Sequence, residues 1–298
     1  MKYKHIPVLL EESIKFLGVK KNGVYVDCTL GGGGHTEAIV SSSVRSPSPS
    51  GRGGRGVRAI AIDQDAEAIA AAREKLKQFD NITYINDNFR NLKKHVKEKA
   101  DGILFDLGVS SYQINEPSRG FSLQKDGPLD MRMDRNQKTT AEELIRRLSQ
   151  DELERIFKEY GEERFSRRIA RAVVAARGAG DVKTTFQLKA IVEKAIPTWK
   201  KRESVTRVFQ ALRMAVNHEL ESLEIALRDA VDLLKPGGRI VVISYHSLED
   251  RIAKQTLKMA REEGKLKILT RKPVRPQAAE ISSNPRARSA KLRAAEKT

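Results

Sequence analysis

The chain has 298 residues, enough for about two domains, and its core must rest on Leu, Ile, Val and Ala because aromatics make up only 5%. Fifty-six Lys and Arg against 39 Asp and Glu leave a net charge of +17, which points to a polyanion: nucleic acid or an anionic membrane surface. No stretch approaches a membrane span, the opening MKYKHIPVLLEES lacks the apolar core of a signal peptide, and the single Cys28 excludes a disulfide scaffold or a cysteine-rich zinc module. The expectation is a cytoplasmic protein without membrane contact or metal.

In chain order, GVYVDCTL (23–30) reads as a short strand ending in glycines, followed by a second strand, VRAIAID (57–63). DAEAIAAAREKLKQF (65–79) has helical periodicity, and ITYIND (82–87) and DGILFDLG (101–108) are further strands. Short apolar strands between helices predict a parallel sheet covered on both faces. Residues 109–217 switch to helix after helix, with capping-box spacing at Thr140/Glu143, Ser149/Glu152 and Thr184/Gln187. A helix near 217–234 then runs into a KPGG turn (235–238) and the strand RIVVISYHS (239–247). A helix near 248–263, a strand KLKILTRK (265–272) and an edge-region strand SAKLRAAE (289–296) complete the pattern.

The organisation expected is one α/β domain, 1–108 with 218–298, interrupted by a helical insert, 109–217. SSSVRSPSPSGRGGRG (41–56) carries too little apolar surface to fold and reads as a disordered surface loop; an RNA-touching arginine-glycine segment is the sharper alternative.

The chemistry concentrates where strands end. In VDCTLGGGGHT, Asp27 precedes glycines at +4 and +6, Gly31 and Gly33, which allow a tight turn and close approach to a nucleotide. A dinucleotide fingerprint needs another glycine where Thr36 stands, so the pattern suits S-adenosylmethionine better than NAD. Asp63 ends the second strand, where an acid accepts hydrogen bonds from ribose hydroxyls. NDNF (86–89) offers the Phe89 ring to an adenine, and Asp106 ends the fourth strand, where groups meet reacting atoms in an open α/β sheet.

HIPVLLEES, VDCTLGGGGHT, AIDQD, DGILFDLGVSSYQ, RGFS, GPLDMRMD, YGEERFSRRIA, RVFQALRMAVN, LLKPGGR, SYHSLEDR and NPRARSAKLR occur in this order from about residue 5 to 297. Together they resemble the small-subunit ribosomal RNA (cytosine-N4-)methyltransferase family, of the RsmH or MraW type. The resemblance implies a Rossmann-like S-adenosylmethionine-dependent methyltransferase fold with an inserted all-helical substrate-recognition domain. It implies cofactor contacts at Gly33, Gly34, His35, Asp63, Phe89, Asp106 and Gln113. The substrate it implies is a cytidine in the decoding region of small-subunit ribosomal RNA, free or in an assembling small subunit, methylated on its exocyclic N4. Oligomeric state, a homodimer included, stays open.

That amine is a poor nucleophile because its lone pair is delocalised into the ring, so catalysis must position it and offer an acceptor. Asp106 is the first candidate, although DLGVSS departs from the Asn/Asp-Pro-Pro-aromatic motif of many amino-methyltransferases. Asp130 in GPLDMRMD either closes over the base or sits in a salt bridge beside packed methionines. His246 in SYHSLEDR is either a rim group or a helix-start or packing histidine. Residues 264–298 carry a surplus of basic charge, with Arg286, Arg288 and Lys291 as candidate phosphate contacts, and Arg164, Arg168 and Arg171 recur at helical spacing, either as phosphate contacts or as a solvated charged face. Trp199 either stacks on a base or packs at the domain junction. A small-molecule or protein methyltransferase and a non-enzymatic RNA-binding module are the rival classes.

Overall fold

The computed structural model describes residues 7–42, 56–180 and 182–298, so the low-complexity expectation for 41–56 lies almost wholly outside the described residues. The chain forms two compact units: residues up to Gly108 together with Leu220–Thr298, and Val109–Glu219.

The first unit opens with α1 (Leu10–Leu17), β1 (Val24–Asp27) and α2 (Gly34–Ser41). It continues through β2 (Arg58–Asp63), α3 (Ala66–Lys75), β3 (Ile82–Asn86), α4 (Leu92–His95) and β4 (Ala100–Asp106). Seven strands form one sheet in the order β3-β2-β1-β4-β5-β7-β6, completed by β5 (Leu234–Ser244), β6 (Leu266–Ile268) and β7 (Lys291–Lys297). The first five in that order are parallel, and β7 runs antiparallel to both neighbours. This is an α/β, Rossmann-like architecture.

Successive side chains of a strand point to opposite faces, and here both faces are dry. Ile103, Phe105, Ile240 and Val242 pack with Leu223, Leu227 and Val231 of α11 (Glu219–Leu233) and Leu257 of α12 (Ser247–Glu262). Their neighbours Leu104, Val241 and Ile243 pack on the other side with Leu17 and Ile39. Each such fully buried side chain contributes about 1.5–3 kcal/mol, which is why the strands read as continuous apolar runs.

Three expectations are refined. The KPGG segment is an excursion inside β5 rather than a separate turn: Ala100 pairs with Leu234 and Gly102 with Arg239, so the register jumps across it. SAKLRAAE is an interior strand, because β6 covers its outer side and is itself the edge. The tail is accordingly part of the sheet. Arg293 on β7 donates to both carboxylate oxygens of Asp250 on α12 (2.7 and 3.1 Å), and Lys291 lies 3.3 Å from the same acid. Lys291 is thus a structural ion-pair partner. Helix α13 (Ala278–Ser283) precedes this strand, and its Glu280 accepts the Leu9 N–H at 2.8 Å.

The second unit is helical among its described residues: α5 (Ser111–Asn115), α6 (Ala141–Arg147), α7 (Gln150–Glu159), α8 (Ser166–Ala179), α9 (Thr185–Ala195) and α10 (Lys201–Asn217). Apolar side chains at four-residue spacing meet in its centre: Leu153 and Phe157, Ile169 and Val173, Leu188 and Val192, Val208 and Leu212. The capping boxes at Ser149 and Thr184 are reciprocal. Thr140 caps one way only, because the Glu143 carboxylate is drawn to Arg146 (2.6 Å) instead.

Asn217 ends α10 and holds the segment 131–133 in place. Its Oδ1 accepts the Met133 N–H, and its Nδ2 donates to the carbonyls of Met131 and Arg213, all at 2.8 Å in a buried setting. Asn217→Ala removes these three bonds and is expected to cost about 2–4 kcal/mol of stability, read as a lower denaturant midpoint in chemical unfolding.

Candidate functional site at the strand ends

Asp27, Asp63, Asn86 and Asp106 end the four parallel strands β1, β2, β3 and β4, and β5 ends just before Tyr245. Three carboxylates therefore gather at one edge of the sheet, and each is held differently.

Asp27 is buried and faces inward. Its Oδ2 accepts the Thr36 hydroxyl (2.7 Å) and its Oδ1 the Thr29 N–H (3.1 Å), so it ties the glycine turn to the first turn of α2. Burial pushes its carboxyl above the usual range, against the attraction of His35. The turn closes on Gly33, the residue before α2, at φ 71°, a left-handed conformation that favours glycine. Gly34 has no room for a side chain: a Cβ there would fall 2.2 Å from the Pro7 Cγ.

Asp63 accepts two backbone N–H groups, from Gly31 at 2.8 Å and Asp65 at 2.9 Å. Burial nevertheless raises its pKa to about 6, the two N–H donors pulling the other way. Thr29 joins the same turn to β4, its hydroxyl oxygen accepting the Asp106 N–H at 2.6 Å. The glycine turn is thereby fastened to both neighbouring strands.

Asp106 has a pKa raised to about 7. Burial is the largest cause, the Tyr245 hydrogen bond opposes it and the Glu249 charge adds to it. The Tyr245 hydroxyl donates to Oδ1 at 2.7 Å, and His35 Nδ1 stands 3.5 Å from Oδ2. The His35 imidazole is buried, its pKa pushed down by burial, and its Nε2 has no hydrogen-bond partner among the described residues.

Phe89 follows β3, half-buried, with its ring edge-on to Phe105 at 5.8 Å. Its neighbour Asp87 is committed elsewhere. Burial raises that carboxyl, but hydrogen bonds from His95 (2.6 Å) and Asn91 (2.8 Å) prevail and hold it below the usual range. The structure thus brings Gly33, Gly34, His35, Asp63, Phe89 and Asp106 to the same end of one sheet.

His246 is the N-cap of α12, in a reciprocal capping box with Glu249. Glu249 is buried; its Oε2 accepts the Tyr245 N–H (2.8 Å), and its Oε1 lies 2.8 Å from His246 Nε2. The helix-start reading of His246 is the one the geometry matches. Tyr245 carried no expectation in the sequence, where it is one of six tyrosines. The signal was the H-x-x-E cap spacing just after it, which aims the preceding side chain.

Two candidates belong to the helical unit. Gln113 is buried and completes a capping box with Ser110, its Oε1 accepting the Ser110 N–H at 2.9 Å. Asp130 is engaged by Arg132 through Nε (2.7 Å) and Nη2 (2.8 Å), one bond to each carboxylate oxygen. Burial raises its pKa, but these bonds win and keep it below the usual range. Met131 and Met133 are buried beside this pair.

Arg164, just before α8, and Arg167, Arg168 and Arg171 in its first two turns are all exposed with no charge partner among the described residues. Trp199 is 75% exposed, and Lys200 Nζ lies 5.3 Å from its ring centre.

A sequence profile of the MraW methylase family matches residues 2–298. The chain is 46% identical to a ribosomal RNA small subunit methyltransferase H from Halothermothrix orenii, over 99% of this chain and 98% of that one. A protein of the same name from Clostridium botulinum strain Loch Maree is also 46% identical, over the full length of both. The crystal structure of an rRNA methylase from Streptococcus thermophilus aligns over 99% of each chain with 13% identity and a TM-score of 0.47.

The raised acids set a pH dependence of stability. Between the unfolded value near 4 and the folded values of about 6 and 7, the folded state holds protons that the unfolded chain has lost. The contribution of Asp63 and Asp106 to stability therefore falls as pH rises through that window. Asp106→Asn should be increasingly stabilising relative to the parent from pH 4 to 8, by about 1.4 kcal/mol per unit of displacement removed. Paired urea titrations across that range check this.

Proposed function

The chain belongs to the MraW methylase family, and on that premise we propose that it methylates the exocyclic N4 of a cytidine in the decoding region of small-subunit ribosomal RNA, using S-adenosylmethionine. The observation that carries this reading is the pair Asp63 and Asp106, two acids on either side of a glycine turn that runs into a helix N-terminus.

The donor set fits the cofactor. Asp63 presents acceptors for ribose hydroxyls, and Phe89 an aromatic surface for adenine. The first turn of α2, at Gly33, Gly34 and His35, presents backbone N–H groups to a carboxylate. Asp106 offers an oxygen to an ammonium or an amine, and Gln113 joins this set through the family resemblance. When bound, the cofactor supplies a methyl group on a sulfonium.

The residues must then position a weak nucleophile and accept its proton. Asp106 meets both needs: with a pKa of about 7 it is partly ionised near neutrality, the range in which a carboxylate serves as a base. Asp130 is less suited, because Arg132 occupies both of its oxygens. The α8 arginines suit the phosphates of the RNA, an interaction that gives affinity without reading sequence. The helical unit is thus the substrate-recognition insert, and the substrate is the RNA itself or an assembling small subunit, in the cytoplasm.

Mass mapping of small-subunit RNA from cells with and without the protein tests the assignment: one cytidine should lose one methyl group, and an unchanged map would overturn it. Asp63→Ala should weaken S-adenosylmethionine binding by roughly 10- to 150-fold in calorimetry. Charge reversal at Arg167, Arg168 and Arg171 should lower the salt slope of RNA binding by about 0.7–0.9 for each phosphate left unneutralised, with cofactor affinity unchanged.

A further inference from the structure

We propose that Tyr245, braced by Glu249, is a positioning residue for methyl transfer, clamping Oδ1 of Asp106 so that Oδ2 is the oxygen offered to the substrate amine. The inference rests on the reading of Asp106 as the acceptor.

The brace starts in the backbone. Where β5 ends, Glu249 on the first turn of α12 accepts the Tyr245 N–H at 2.8 Å and the His246 N–H at 3.4 Å, through the same oxygen. The capping box thereby fixes where the Tyr245 side chain leaves the main chain. The ring lies beside Gly108, at φ 110°, where a Cβ would come within 3.4 Å of the ring edge. The hydroxyl then reaches Asp106 Oδ1 at 2.7 Å, the length of a good O–H···O hydrogen bond.

Tyr245 can only donate in this position. Burial and the charges of Asp106 and Glu249 push its phenol well above the ordinary tyrosine range, so it keeps its proton at working pH. Oδ2 remains for the substrate, since His35 Nδ1, at 3.5 Å, is too distant for a strong hydrogen bond. With the cofactor bound, it would supply the methyl group and leave as the neutral thioether, and Oδ2 would take up the proton that the amine gives up. The Tyr245 proton stays where it is.

The charged and titratable groups around this carboxyl come from every side: Asp27 on β1, His35 on α2, Tyr245 after β5 and Glu249 on α12, with Glu280 on α13 acting on Tyr245. Two of them act on Asp106 with opposite sign. The Tyr245 bond favours the ionised form, whereas the Glu249 charge disfavours it.

That opposition makes the test. The Asp106 carboxyl is titrated by carbon-13 NMR in the full-length protein, alongside the pH profile of kcat on ribosomal RNA. Tyr245→Phe should raise the Asp106 midpoint by about one pH unit and lower kcat at pH 7 about fivefold, with recovery toward pH 9. Glu249→Gln, which keeps an acceptor for the Tyr245 N–H, should move the midpoint down. A merely structural loosening would not produce shifts of opposite sign. If Asp106→Asn abolishes transfer while Tyr245→Phe leaves midpoint and profile unmoved, the Tyr245 assignment is wrong. If Asp106→Asn transfers at the parent rate, the acceptor reading fails, and this inference with it.

Discussion

The Gly31 N–H donates to Asp63 at the end of β2, and the Asp106 N–H donates to the Thr29 hydroxyl from the end of β4. Between them, these two bonds pin the turn after β1 to the strands on either side. The turn has no side chains of its own at Gly31–Gly34 with which to hold a shape, so its geometry is borrowed from the sheet. The Asp27–Thr36 bond then passes that geometry on to α2. The places of Gly33, Gly34 and His35 follow from this fastening.

The cost of the arrangement is electrostatic. Asp27, Asp63 and Asp106 are withdrawn from water near one another with no lysine or arginine bonded to them among the described residues, and burial raises all three. Keeping acids in this setting moves the Asp106 titration toward neutrality, and a group poised there can take up and release a proton during turnover. Asp130 and Asp87 show the contrast, since each has a basic partner and stays below the ordinary carboxylate range.

The net charge of +17 is likewise divided by packing. Lys291 and Arg293 look like part of a basic tail in the sequence, but the antiparallel insertion of β7 turns them onto Asp250 of α12. The arginines at α8 have no such acid beside them among the described residues and remain exposed. Basic residues facing solvent, rather than basic residues in total, are what an RNA backbone meets.

Much was legible in the residues themselves. Apolar runs of strand length separated by helical periodicity implied the parallel sheet, because each strand of such a sheet is buried on both faces. S-x-x-E and T-x-x-Q spacing located helix starts, because a cap is a local interaction between residues three apart. Asp63 and Asp106 stood out by their places at strand ends. What the sequence could not carry was any relation between distant residues. That β7 lies inside the sheet depends on β6 pairing with it, and Arg293 finds Asp250 only through that register. Tyr245 reaches Asp106 across 139 positions of chain, and only the alignment of β4 with β5 brings the two together. Local spacing determined the elements, the caps and the acids at the strand ends; the tertiary structure decided which acids are paired and which titrate near neutrality, because burial and long-range hydrogen bonds exist only once the sheet has formed.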